Sequence, residues 1–159
     1  MIFVTLGTQD KSFKRLLEAV DNQIKKGTIK DKVIVQAGHT DYESDNMQIY
    51  DLLSMDEFDK YISECDLLIT HAGVGSIMSG LSNHKKIIAA ARLSEYGEHN
   101  NDHQKEIAES FSKLGYILYL EDFSKLGELI EKSKSFKPTE YKENNSNFVK
   151  IVEDFIDNN

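Results

Sequence analysis

Long hydrophobic runs are missing from this chain of 159 residues. No apolar stretch approaches the ~20 residues that a helix needs to cross a bilayer. The opening MIFVTLGTQDK has neither a basic leader nor a small-residue cleavage site, so the expectation is a soluble cytoplasmic protein, brought to a membrane only through a partner. Cysteine occurs once, as Cys65. A lone thiol has nothing to pair with, which argues against a secreted disulfide scaffold, and its place before an apolar run reads as core packing. Proline also occurs once, at Pro138. Basic residues are in short supply: 19 Lys+Arg against 27 Asp+Glu give a formal charge of -8. Such a field repels phosphate backbones and anionic lipid, so no nucleic-acid partner is expected.

Several fingerprints of chemistry are absent too. There is no G-x-G-x-x-G after the first apolar run and no G-K-[ST], which argues against a nicotinamide-dependent dehydrogenase and a P-loop enzyme. Nothing marks a Ser/His/Asp or nucleophilic cysteine arrangement, so covalent hydrolysis has no support.

What is there is an alternation. Short runs rich in β-branched residues, Ile2 to Leu6, Lys32 to Ala37, Gln48 to Leu53, Asp66 to His71, Lys86 to Ala91 and Tyr116 to Leu120, are separated by segments of helical period. That pattern predicts an α/β, doubly wound, mostly parallel sheet of Rossmann-like type. Phe13, Leu16, Leu17, Val20 and Ile24 mark one helix by their 3-4 spacing, and Phe58, Tyr61 and Ile62 mark a short second one. Further helices are predicted at Gly75 to Leu81, His103 to Lys113 and Phe123 to Ser133. A polar stretch from Ser135 to Asn145 reads as a linker. It leads to an amphipathic helix on Phe148, Ile151, Val152, Phe155 and Ile156, whose apolar face covers either its own domain or a second protein. The expected division is a binding domain over residues 1–135 and a linker with helix over residues 136–159.

Three segments carry the candidate chemistry. In DLLITHAGVGSIMSG, Asp66 to Gly80, a strand ends at His71. Gly73 and Gly75 then turn the chain tightly into a helix, so that bare amides at Val74, Gly75 and Ser76 can receive a diphosphate; the bland alternative is that the glycines only allow close packing. A second Gly loop, Gly7-Thr8-Gln9, follows the first strand and faces the same crevice. The third segment, Arg92 to Gln104, packs Arg92, Tyr96, Glu98, His99, Asn100, Asn101, Asp102, His103 and Gln104 into one turn-rich stretch. There Glu98, His103 and Gln104 are candidates for the hydroxyls of a sugar, and Arg92 for phosphate charge. The alternative is a solvated loop in which Asp102 or Asn101 caps the next helix. A metal site on His99, Asp102 and His103 lacks the supporting motif. His71 is either a buried, backbone-held histidine or part of the site.

The pieces VTLGTQDKSFKRLL, VQAG, ITHAGVGSI and RLSEYGEHNNDHQKEIA, in this order and spacing, resemble the glycosyltransferase family 28 C-terminal domain. The likeness is strongest to the small bacterial exopolysaccharide and capsule subunits akin to the catalytic subunit of the two-part eukaryotic N-acetylglucosaminyltransferase for dolichol-linked glycans. The resemblance implies half of a GT-B architecture that binds the donor, a UDP-sugar, and transfers its sugar with inversion. Galactose is the first guess for the sugar, and a polyprenyl-diphosphate-linked glycan for the acceptor. It implies no cofactor and no required metal, and a membrane-associated partner subunit that brings the acceptor to the inner face of the cell membrane.

By the same likeness, Gly73, Val74, Gly75 and Ser76 receive the diphosphate, Gly7, Thr8 and Gln9 face the cleft between the halves, and His103 and Gln104 lie near the donor sugar. Ser79 stands where the peptidoglycan branch of the family has a glutamate for the ribose. The general base is left open among His71, His99 and a partner residue. Two other readings stand beside this one: a non-catalytic nucleotide-sugar-binding or regulatory subunit, and a flavodoxin-like binding module without UDP affinity.

Overall fold

The computed structural model describes residues 1–142; the predicted helix on Phe148 to Ile156 lies outside them. Six strands, β1 (Ile2–Thr5), β2 (Val33–Gln36), β3 (Gln48–Tyr50), β4 (Leu67–His71), β5 (Lys86–Ala90) and β6 (Leu118–Tyr119), form one sheet in the order β3-β2-β1-β4-β5-β6. Every pairing is parallel, with Ile2 opposite Val33 on one side and Leu67 on the other. The four central strands fall inside the predicted runs. The outer two are shorter than predicted. After Tyr50 the ladder ends: Gly38 N–H donates to the Asp51 carbonyl at 2.8 Å, and the chain then turns away into the next helix.

Alternation along the strands separates two cores. Ile2, Val4, Val33, Val35, Ile69 and Ile88 point to the face covered by α1 (Lys14–Lys26) and α5 (Leu126–Ser135). Phe3, Ile34, Leu68, Ile87 and Ala89 point to the other, covered by α2 (Met55–Glu64), α3 (Val74–Ser82) and α4 (His103–Lys113). The apolar period of α2 picks out only its buried face, so the helix begins earlier than Phe58. Ser54 Oγ accepts from the Glu57 N–H at 3.1 Å while the Glu57 carboxylate accepts from the Ser54 N–H, a capping box that fixes the start. Part of the predicted linker is anchored: Thr139 donates its N–H to the Gly115 carbonyl and its hydroxyl to the Leu114 carbonyl.

From β1 the chain passes over one face of the sheet, and from β4, its neighbour, over the other. The loops that leave these two carboxyl ends therefore diverge and open a crevice, the switch point of a doubly wound sheet.

Candidate functional site

The crevice has a volume of about 630 Å³, in the ~300–1,000 Å³ range of small-molecule sites. Gly7, Thr8 and Gln9 form one lip; Gly73, Gly75 and Ser76 form the opposite one, with His71 between them. Val74 packs against the core instead. Helix α3 begins without any side-chain cap, so its first amides keep their capacity for an anion, and the helix end adds roughly half a positive charge. A second cavity of similar size lies between α1 and α5 at the amino end of β1, beside Ile2, away from the carboxyl strand ends where ligands of this fold bind.

His71 closes β4 and is 6% exposed. Its imidazole edge fills the space that a Cβ on Gly7 or Gly73 would take, so both lips have to be glycine for the ring to sit between them. Gly7 also holds φ at +74°, where other residues are strained. Burial first, then the Arg92 charge, push the His71 pKa down to about 3. The ring is neutral at ordinary pH.

Behind His71 the predicted sugar-facing loop turns inward. Gln104 is 1% exposed. Its Oε1 accepts from the Arg92 backbone N–H at 3.1 Å and its Nε2 lies 3.2 Å from His71 Nδ1. Arg92 is wholly buried and donates to the carbonyls of Leu6, Lys11 and Glu98 at 2.6, 2.7 and 3.1 Å. Burial, opposed by Glu98 and Asp10, lowers its pKa to about 10, which leaves it cationic. It sits under the Gly7 loop rather than open to phosphate, as its place in a polar loop had suggested. The Glu98 carboxylate is buried as well: it takes two hydrogen bonds from Arg15 and one from the Leu93 N–H. The Arg15 guanidinium in turn stacks on Phe123 at 3.8 Å and Tyr96 at 4.4 Å.

His99 and His103 do not line the crevice. His99 Nδ1 accepts from the Asn101 N–H, Asn101 Oδ1 accepts from the His103 N–H at the start of α4, and Asp102 accepts twice from Ser94. Burial, then the Arg92 charge, lowers the His99 pKa. Among the described residues no group of three His, Cys, Asp or Glu is placed to hold a metal ion.

The far end of the crevice is made by residues that the sequence had not singled out. Leu52, Leu53, Met55 and Phe58 give it an apolar wall, and among the described residues Asp59 is the single formally charged side chain in the lining. Leu52 and Met55 are 62% and 77% exposed. Gln36 anchors this wall, taking the Leu53 N–H on Oε1 at 3.0 Å while its Nε2 donates to Thr5 Oγ1. The signal was hidden because QIYDLL reads as a strand, which assigns Leu52 and Leu53 to the core. Ser79 also lines the crevice, its hydroxyl donating to the Gly75 carbonyl.

Residues 1–158 match the sequence profile of the glycosyltransferase family 28 C-terminal domain. The UDP-N-acetylglucosamine transferase subunit ALG13 of Candida albicans is 33% identical over 78 residues, 49% of this chain and 25% of that protein. The subunit of the same name from Debaryomyces hansenii is 29% identical over 107 residues, 67% of this chain and 46% of that protein. The aligned regions thus span between a quarter and half of these relatives. An NMR structure of ALG13 superposes with a TM-score of 0.62 at 23% identity, covering 96% of this chain and 94% of that one. The MurG of Acinetobacter baumannii superposes at 0.52 with 18% identity over 83% of this chain and 40% of that one. The fold is that of the C-terminal half of GT-B glycosyltransferases.

Proposed function

The chain belongs to the glycosyltransferase family 28 C-terminal domain, and from that premise we propose that it is the donor-binding subunit of a two-part inverting glycosyltransferase that uses a UDP-sugar. The observation that carries this reading is the crevice at the β1/β4 switch point, where the uncapped start of α3 faces a glycine lip. In a chain of net charge -8, this is a local patch that favours an anion. The diphosphate lies against Gly73 to Ser76, the uracil against the apolar wall of Leu52, Leu53, Met55 and Phe58, and the ribose between them, near Ser79 and Asp59. A carboxylate suits that middle place, because its two oxygens accept from two adjacent hydroxyls.

In the reaction the acceptor hydroxyl attacks the anomeric carbon and UDP leaves, its new charge stabilised by the amides of α3. The described residues form one Rossmann-like unit, whereas GT-B enzymes close a cleft between two. The names of the ALG13 relatives, which are transferase subunits, support a divided enzyme in which a membrane-associated partner subunit supplies the acceptor side. The finer reading, galactosyl transfer to a polyprenyl-diphosphate-linked glycan in exopolysaccharide or capsule synthesis, rests on the likeness of sequence to bacterial subunits of that kind.

Calorimetric titration of the purified chain with UDP, ADP, NAD and 2′-deoxy-UDP tests the proposal. Saturable binding of UDP, weaker binding of the deoxy form and none of ADP or NAD is the expected result. Equal binding of all four, or no UDP binding by the chain co-purified with the product of a neighbouring gene, would refute it.

A further inference from the structure

The side chains behind the crevice form a chain of hydrogen bonds whose direction is fixed at its buried end. A backbone N–H can only donate, so the atom of Gln104 that faces Arg92 N at 3.1 Å has to be the carbonyl oxygen. The other end of the amide is then an NH₂, which can only donate, and it lies 3.2 Å from His71 Nδ1. Nδ1 must accept, so it carries no proton. A neutral imidazole then has its proton on Nε2, the nitrogen that reaches the crevice between Gly7 and Gly73 and lies 3.4 Å from Ser76 Oγ. That hydroxyl accepts from the ring and keeps its own proton for the crevice.

We propose that Gln104 is a positioning residue: it locks His71 in the Nε2-protonated tautomer, so that the single Nε2–H, shared between Ser76 Oγ and a ligand in the crevice, makes His71 a hydrogen-bond donor beside the Ser76 hydroxyl and not the general base. Every link points the same way, from the Arg92 amide through Gln104, His71 and Ser76 to the crevice, and aligned links in a buried chain polarise one another. Gln104 is 1% exposed and His71 6%, and the Nδ1 side of the ring is turned to Gln104 and away from the crevice. The neighbouring charge of Arg92, together with burial, keeps the ring from taking a second proton. An acceptor of negative charge is what two such donors fit, and under the proposed function it is the diphosphate. The base that activates the acceptor hydroxyl then comes from another group, one in the partner subunit being the reading this geometry leaves. The tautomer itself does not depend on the identity of the ligand.

Long-range proton–nitrogen NMR spectra of the ligand-free chain at neutral pH read the tautomer directly, with the His71→Gln spectrum assigning the signal. The wild-type ring is expected to show a protonated Nε2 and a bare Nδ1. In Gln104→Glu, nearly the same in shape, an ionised carboxylate can only accept, so Nδ1 gains a proton. A wild-type ring protonated on Nδ1 would overturn the proposal, and so would a folded Gln104→Glu chain whose Nδ1 stays bare. Should that variant fail to fold, the wild-type spectrum decides alone. With UDP added, His71→Gln, which keeps a donor, should bind within a few-fold of wild type, whereas His71→Leu should lose roughly tenfold or more, as expected for a hydrogen bond to a charged group. Equal losses in the two would refute the donor role while leaving UDP binding by the wild type intact.

Discussion

At the scale of single residues, the site depends on polar side chains that fold inward. His71 and Arg92 are both buried, which is tolerable because the imidazole is neutral and because carbonyls accept from Arg92 while the charges of Glu98 and Asp10 favour its cationic form. Stability should follow. His71 has a folded pKa of about 3 against about 6.5 in an unfolded chain. As pH falls below about 6.5 the unfolded state takes up a proton that the folded state refuses, and stability is lost progressively towards the folded pKa. His99, also lowered, adds to the same slope. Urea unfolding between pH 7 and 4.5 should show stability dropping with pH, and His71→Gln should flatten that slope without abolishing it. An unchanged slope would mean that the ring is not buried neutral. The sequence left His71 open between a buried and a site residue; the structure shows it buried, with one edge on the crevice. Arg92, Glu98 and Gln104 were less legible. Their density in one loop reads as a site for sugar hydroxyls and phosphate, and only the fold shows that Arg92 is the partner of both Gln104 and Glu98.

At the scale of elements, the strand ends were readable because β-branched runs stop at glycine loops, and the Gly7 and Gly73 lips follow from those stops. The wall on the other side of the crevice was not readable from periodicity, because Leu52, Leu53 and Met55 are apolar residues on the rim of a site. What holds them is a cap and a tether, Ser54 at the start of α2 and Gln36 on the Leu53 amide. Ser54→Ala removes the capping box and should cost about 1 kcal/mol in chemical denaturation. It should also weaken UDP more than inorganic diphosphate, because the wall meets the base and not the phosphates. An equal loss for both ligands would detach the wall from base recognition.

At the scale of the whole molecule, a six-stranded sheet with helices on both faces was legible from the alternation of runs, and the two short edge strands mark where pairing runs out. Among the described residues no helix is long and apolar enough to cross a membrane. A ligand that binds only the folded chain stabilises it by about 2.7 kcal/mol at a hundred times its dissociation constant. For a chain of this size that is a rise in Tm on the order of 5–10 °C. UDP should produce such a rise in a thermal scan and ADP should not; a rise with both would point to a crevice that reads phosphate alone. Arg92 adds a mechanical consequence. One guanidinium grips the carbonyls of Leu6, Lys11 and Glu98, and the exposed ring of Tyr96 rides on the Arg15 that is clamped to Glu98. The loops after β1 and β5 are thus cross-braced, so that the surface ring of Tyr96 and the residue before the Gly7 lip are joined through Arg15, Glu98 and Arg92.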